Sequence, residues 1–260
     1  MYVFEDNTSE LEDWIRREIE FDEPIGPGMQ GESVCRVQEW LNLQGYGLAI
    51  DGKYGPVTAN VITQFQENSF INATGDVDRQ TFELLVEPMK RPLRQRMNMS
   101  ESINQAVLEY AFAHLESKAK EIGGQNMGPW VRLYMKGHQG KKWAWCAGFV
   151  SFVLHQAIDS LNADVPHLDS FSCDLLAFQA KSAGLFFSGN EISNREIPSG
   201  SIFLVRNTDS DWTHVGIIVE AEDLMMRTIE GNTNDEGGRE GYEVCMRFRG
   251  YNNKDFILLP

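Results

Sequence analysis

Apolar positions recur along this chain in two different periods, and the change from one to the other falls near Gly200. Leu11, Trp14, Ile15 and Ile19 stand at helical spacing among many charges, which predicts a short amphipathic helix within an N-terminal extension, residues 1–24. The run Pro24-Ile25-Gly26-Pro27-Gly28 then favours a turn over any regular element. Val34, Val37 and Leu41, at i, i+3 and i+7, mark the apolar face of a helix that ends near Gly45. Between Tyr46 and Pro56 a D-G pair and a G-P pair predict a tight loop, followed by a helix that turns Val61, Ile62 and Phe65 inward. A third short helix is expected after Asp78, with Phe82 and Leu85 on its buried side. Pro88, Pro92 and the basic string Lys90, Arg91, Arg94 and Arg96 mark a polar junction, read as a solvated linker over 88–101.

Beyond the junction, Ile103, Ala106, Val107, Tyr110 and Ala111 predict a helix from about Ser102 to Ile122. The stretch from Trp143 to Leu154 is apolar nearly all round, as a helix buried on every side must be. Another helix is expected from Cys173 to Ala183. After Gly200 the period shortens. Ile202 to Val205, His214 to Glu220, Leu224 to Glu230, Tyr242 to Phe248 and Phe256 to Leu259 read as strands separated by turn residues. Helices first and strands second predict an α+β domain over 102–260, with a central helix on an antiparallel sheet, behind a small three-helix domain over 25–87.

Composition supports this division, since 260 residues suit two modest domains better than one large core. The 42% hydrophobic and 23% charged residues are globular values, and no apolar run is long enough to span a bilayer. A net charge of -15 excludes nucleic acid as the expected partner, because phosphate neutralisation needs clustered Lys and Arg. The residues Met1 to Asp6 lack the basic and apolar regions of a secretory signal. Synthesis in the cytoplasm, with delivery by another route, is therefore expected for any role outside it. Cys35, Cys146, Cys173 and Cys245 show no C-x-x-C spacing, so neither a zinc cluster nor a disulfide framework is expected. Cys35, Cys173 and Cys245 read as small buried hydrophobes.

Cys146 differs because it opens the buried helix, where free backbone N–H groups and the helix dipole favour thiolate over thiol. Acyl transfer from an amide needs such a nucleophile, a base, a group that orients the base, and donors for the oxyanion. His214, in W-T-H-V-G-I-I-V, is the candidate base, and the N–H groups at the helix start are candidate oxyanion donors. A turn centred on Glu222 would set Val219 opposite Met225, Ile217 opposite Arg227 and His214 opposite Glu230. Directly opposed residues hold their Cβ atoms ~4.5–5.5 Å apart, so Glu230 is the candidate orienting acid. Asn232, two residues on, would share that side as an accessory polar group. His114, His138, His155 and His167 have no partnered motif, although His138 precedes Cys146 in the same loop. Trp130, Trp143 and Trp145 are either sugar-stacking walls or packing residues.

Two resemblances rest on these blocks. V-Q-E-W-L-N-L-Q-G-Y, D-G-K-Y-G-P-V-T, V-I-T-Q-F-Q-E and G-D-V-D-R-Q-T-F, spanning Gly31 to Leu85, resemble the peptidoglycan-binding domain of bacterial and phage wall hydrolases. Ser69-Phe70-Ile71 departs from that family, which more often carries a Gly-Leu pair there. W-C-A-G-F-V-S, T-H-V-G-I-I-V and I-E-G-N-T-N, in that order, resemble the CHAP family of papain-like, NlpC-like cysteine amidohydrolases and peptidases. By position the resemblance implies Cys146 as nucleophile, His214 as base, Glu230 as third residue and Asn232 as accessory. It implies no cofactor. Some CHAP domains hold calcium in an acidic loop before the nucleophile, but Lys136 to Lys142 lacks the carboxylates, so no metal is expected. Asn232 to Glu236 reads as an ordinary polar turn.

The two families together imply a peptidoglycan hydrolase, an amidase or endopeptidase acting at the wall or periplasm. Its setting would be a phage endolysin, or an antibacterial effector with a cognate immunity protein or secretion-apparatus partner. Two other readings stay open: a papain-like amidase on a small-molecule amide, and a non-catalytic wall-binding protein.

Overall fold

The computed structural model describes residues 1–5, 7–94, 102–192, 196–234 and 241–260. The expected amphipathic helix is α1 (Asp13–Ile19), which sinks Ile15 and Ile19 into the core. Three longer helices follow: α2 (Glu32–Leu43), α3 (Pro56–Asn68) and α4 (Arg79–Leu93). Pro56 sits in the first turn of α3, where its missing N–H costs nothing. Asp78 caps α4 by accepting from the Thr81 N–H at 2.8 Å. Two buried glutamines hold the connecting loops. Gln38 accepts from the N–H groups of Asp51 and Gly52, and Gln66 accepts from that of Gly75 and donates to Asp76 O. Gln66, with Ile62 and Phe65, takes the inward face of α3 that was expected to include Val61, which is only half-buried. Phe70, in the segment departing from the family pattern, adopts a left-handed φ of 57° and is 95% exposed.

The junction expected at 88–101 opens inside a helix. Helix α4 runs through Pro88 and Pro92, and Met89, Lys90, Pro92 and Leu93 are buried. Neither proline breaks it, and its apolar side, with Leu85, Val86, Met89 and Leu93, faces the core. Arg96, with the rest of 95–101, lies outside the described residues.

The second part opens with α5 (Ile103–Glu116), shorter than expected, followed by a six-residue helix, α6 (Pro129–Tyr134), that periodicity did not disclose. Helix α7 (Cys146–Leu161) is buried along nearly its whole length, as its composition requires, and α8 (Cys173–Ser182) follows. Strand β1 (Phe186–Phe187) and the single turn α9 (Gly189–Ile192) lead into β2 (Ile202–Thr208), β3 (Asp211–Ala221), β4 (Met226–Thr233), β5 (Glu243–Arg249) and β6 (Lys254–Ile257). These form one six-stranded antiparallel sheet in the order β1-β6-β2-β3-β4-β5. Helix α7 packs on β3 and β4. The fold is α+β, with helices laid against the sheet. Among the described residues, no helix is long and apolar enough to cross a membrane.

The extension and the three-helix unit are not separate from this layer. The Arg132 side chain, from α6, bonds to both oxygens of Glu18 on α1 at 2.7 and 2.9 Å and of Glu39 on α2 at 2.7 and 3.1 Å. Tyr2 stacks on His155 of α7, and its N–H donates to Asp159 at 2.6 Å.

Candidate functional site

Cys146 is the first residue of α7, where the Ala147 N–H interacts with its sulfur. The backbone there is held by close packing, since a Cβ at Gly231 of β4 would lie 2.7 Å from Phe149 Cβ and 2.9 Å from Trp145 Cζ3. Gly231 in the I-E-G-N block therefore allows β4 to press against the helix that carries Cys146. Trp145 is itself fixed from behind, stacked on Tyr134 and donating from Nε1 to Glu121 at 2.8 Å.

His214 lies on β3 opposite Val205, and its Nε2 meets Glu230 Oε2 at 2.8 Å. The pair forms through a different register from the one expected. Ile217 faces Ile229 and Ile218 faces Thr228, while nearer the turn Glu220 faces Arg227 and Ala221 faces Met226. The turn lies further along the chain because Leu224 and Met225 are exposed turn residues and not part of the strand. A one-residue irregularity between Ile218 and Glu220 then restores the even register. Continued at that register, Glu230 lies across from Gly216, where a Cβ would come 2.7 Å from Glu230 Cγ. The glutamate crosses over this glycine and reaches His214 diagonally, a span that suits a long side chain better than direct opposition does.

Glu230 is fully buried and fully paired. Besides His214, it accepts from Thr228 Oγ1 at 2.6 Å, from Arg249 Nε at 2.8 Å and from Arg249 Nη2 at 2.6 Å. Burial pushes its carboxyl up, but the Arg249 fork and then His214 outweigh that and hold it down to about 2. Burial likewise pulls the His214 imidazole down, yet its interactions with Cys146 and Glu230 push it up to about 9. For Cys146 the largest influence is Cys173, whose sulfur lies 3.8 Å away. That contact, with His214 and the Ala147 N–H, holds the thiol well below its usual value against the opposing effect of burial. Cys173 is displaced the other way, upward, by the same contact. The arrangement favours a Cys146 thiolate beside a His214 imidazolium, with Nε2 committed to the acid and Nδ1 left for the sulfur.

Cys146, His214 and Glu230 thus come together. Asn232 is buried on β4 with a left-handed φ of 53°, inside the register irregularity between Glu230 and Thr233, and its Oδ1 has no hydrogen-bond partner. The simple alternation that would have set it beside Glu230 does not hold through that bend. Arg249, Thr228 and Cys173 were missed. Arg249 stands opposite Met226 on β5 and acts on Glu230 from the neighbouring strand, a relation without a sequence spacing to reveal it. Cys173 is buried, as its type suggests, but its contact with Cys146 makes it more than a hydrophobe.

The other candidates fall elsewhere. His114 is buried between Gln156 and Tyr134, and His138 stacks on Trp143 at 4.3 Å. Trp130 and Trp145 are core residues rather than sugar walls. In the loop before α7, Lys136 bonds Asp169 at 2.5 Å. Among the described residues no group of three or more His, Cys, Asp or Glu is placed to hold a metal ion, and Asp235 and Glu236 lie outside them.

Residues 30–85 match the family described as a peptidoglycan binding domain, and the match falls on α2, α3 and the first half of α4. Three solved structures are similar in part. The SleB N-terminal domain is 29% identical, over 26% of this chain and 93% of that one, with a TM-score of 0.25. A fused Zn-dependent amidase/peptidase/peptidoglycan-binding domain-containing protein from Clostridium acetobutylicum is 35% identical, over 25% of this chain, with a TM-score of 0.24. A Burkholderia AP3 phage endolysin is 19% identical, over 40% of this chain, with a TM-score of 0.25. The aligned parts span only 29% and 42% of the latter two chains. No curated protein matches the chain.

Proposed function

We propose that this peptidoglycan-binding protein is also a cysteine amidohydrolase that cleaves an amide bond in the peptide part of the wall. The observation that carries the reading is His214, which couples to the Cys146 sulfur while its Nε2 is held 2.8 Å from the buried Glu230. The resemblance of the blocks around Cys146, His214 and Glu230 to CHAP domains supports the same assignment.

In this reading the Cys146 thiolate attacks the amide carbonyl and forms a C–S bond. The negative oxygen is met by N–H groups at the start of α7, including that of Cys146 itself. The C–N bond breaks as the leaving amine takes the proton from the His214 imidazolium. His214, now neutral, removes a proton from water, which attacks the thioester and releases the acid and the thiolate. Glu230 stays ionised throughout and keeps the ring oriented. Arg249 acts through Glu230 as a positioning residue. The binding domain raises the local concentration of this site at an insoluble substrate, which accounts for both parts sharing one chain.

The test is digestion of purified sacculi by the full chain and by Cys146→Ala, with released fragments identified by mass spectrometry. Loss of soluble muropeptides in the variant, with sacculus binding intact, is expected. Undiminished release by Cys146→Ala would refute the mechanism, and the fragment masses assign the bond.

A further inference from the structure

The mechanism just described uses one of two sulfurs that the fold brings into contact. Cys146 opens α7 and Cys173 opens α8, so two helix N-termini converge on a sulfur pair 3.8 Å apart, with both residues buried. Cys173 is held in place independently of Cys146. Ser172 caps α8 through the Leu175 N–H, and Asp174 accepts from the Trp212 N–H at 2.6 Å, which ties the first turn of α8 to the strand that carries His214. A disulfide requires the two sulfurs to close from 3.8 Å to about 2.05 Å. Cys35 lies in α2 and Cys245 in β5, opposite Glu230, and both are half-buried.

We propose that Cys146 and Cys173 form a reversible thiol-oxidation site, in which Cys173 resolves the oxidised nucleophile as an intramolecular disulfide. The oxidant is a peroxide. The Cys146 thiolate attacks a peroxide oxygen, the S–O bond forms and the O–O bond breaks. The departing oxygen takes the His214 proton and leaves as water or an alcohol, with sulfur oxidised to the sulfenic acid. Cys173 sulfur then attacks the Cys146 sulfur, the S–S bond forms and the S–O bond breaks. The hydroxyl group departs as water with the Cys173 proton. The disulfide removes the nucleophile, and an external thiol restores it by exchange. Without a resolving sulfur, a thiolate as exposed to peroxide as a nucleophile must be to its substrate proceeds to the irreversible sulfinic and sulfonic acids.

The loss of nucleophilicity bears on the proposed hydrolase, whereas the cross-link does not depend on hydrolysis, so each can fail alone. The reduced full chain is treated with hydrogen peroxide, quenched with iodoacetamide and mapped by mass spectrometry without reduction. The expected product is one peptide pair joining Cys146 to Cys173, lighter by two hydrogens, with Cys146 closed to alkylation until dithiothreitol reopens it. In Cys173→Ser the pair is absent and Cys146 instead gains two or three oxygens that dithiothreitol does not remove. The wild-type map alone overturns the proposal if Cys146 is over-oxidised without a cross-link, or is joined to Cys35 or Cys245. A cross-linked wild type that never releases muropeptides when reduced would sink the hydrolase reading and leave the oxidation site standing.

Discussion

A buried carboxylate with four hydrogen bonds sets the chemistry of the residues around it. Glu230 has a folded-state pKa of about 2 against an ordinary 4.5, so its contribution to stability is present above 4.5 and is lost as pH falls toward 2. His214 has the opposite sign, being raised to about 9 from 6.5. Its contribution is present below 6.5 and is lost as pH rises through about 9. Between the lowered Cys146 value and about 9, the thiolate and imidazolium coexist. Alkylation of Cys146 by iodoacetamide, followed by peptide mapping, is therefore expected to be close to its plateau rate already at neutral pH. Arg249→Gln releases Glu230 from its cationic partner, and the acid limb of that profile moves to higher pH. A wild-type rate that climbs only through the ordinary thiol range near ~8.5 would contradict the ion pair. Cys146 and His214 were legible from a helix start and a strand within single elements, and Glu230 from the family resemblance, since the hairpin register expected for it is not the one formed. Arg249 and Cys173 were not, since each meets the site only through elements that the chain brings in from elsewhere.

Elements carry the site through close approach and register. Side chains alternate along a strand, so a one-residue slip exchanges the two faces of β4. The register near the turn, with Glu220 opposite Arg227, would on its own set Glu230 on the face away from His214. The irregularity at Val219 corrects it, and the sequence offers no mark of that extra residue. Gly231 provides the close approach, and Gly231→Ala drives a methyl group into Phe149 and Trp145. The variant is expected to lose about 1–3 kcal/mol of stability by overpacking, read as a lower urea midpoint at unchanged slope. An unchanged midpoint would mean that α7 is free to move off the sheet. Longer elements were readable because a period repeats several times within them. The six residues of α6 and the two of β1 are too short for any period to show.

On the scale of the whole molecule, Arg132 decides whether the binding domain is tethered or docked. Its side chain is 13% exposed and its partners Glu18 and Glu39 are 3% and 7%, so both acids depend on it for charge compensation. Trp40 of α2 meets Trp130 of α6 edge-on at 6.2 Å beside that cluster. Removing one side of a buried ionic network costs about 3–5 kcal/mol, because the stranded charges stay buried. Arg132→Ala is expected to lose stability on that scale by urea denaturation. A change below about 1 kcal/mol, the level of an exposed surface pair, would show that the carboxylates find water and that the docking is loose.

Periodicity determined that this chain has a helical unit followed by helices and then strands, while the chemistry of the W-C-A, T-H-V and I-E-G-N blocks and their resemblance to CHAP domains singled out Cys146, His214 and Glu230. The order of elements follows from neighbours within one element, where spacing fixes geometry. Only the tertiary structure decided the register that joins His214 to Glu230, the Arg249 clamp, the second sulfur beside the nucleophile and the docking through Arg132. Each of these depends on contacts between residues far apart in the chain, and a sequence records such contacts only through the packing of the whole.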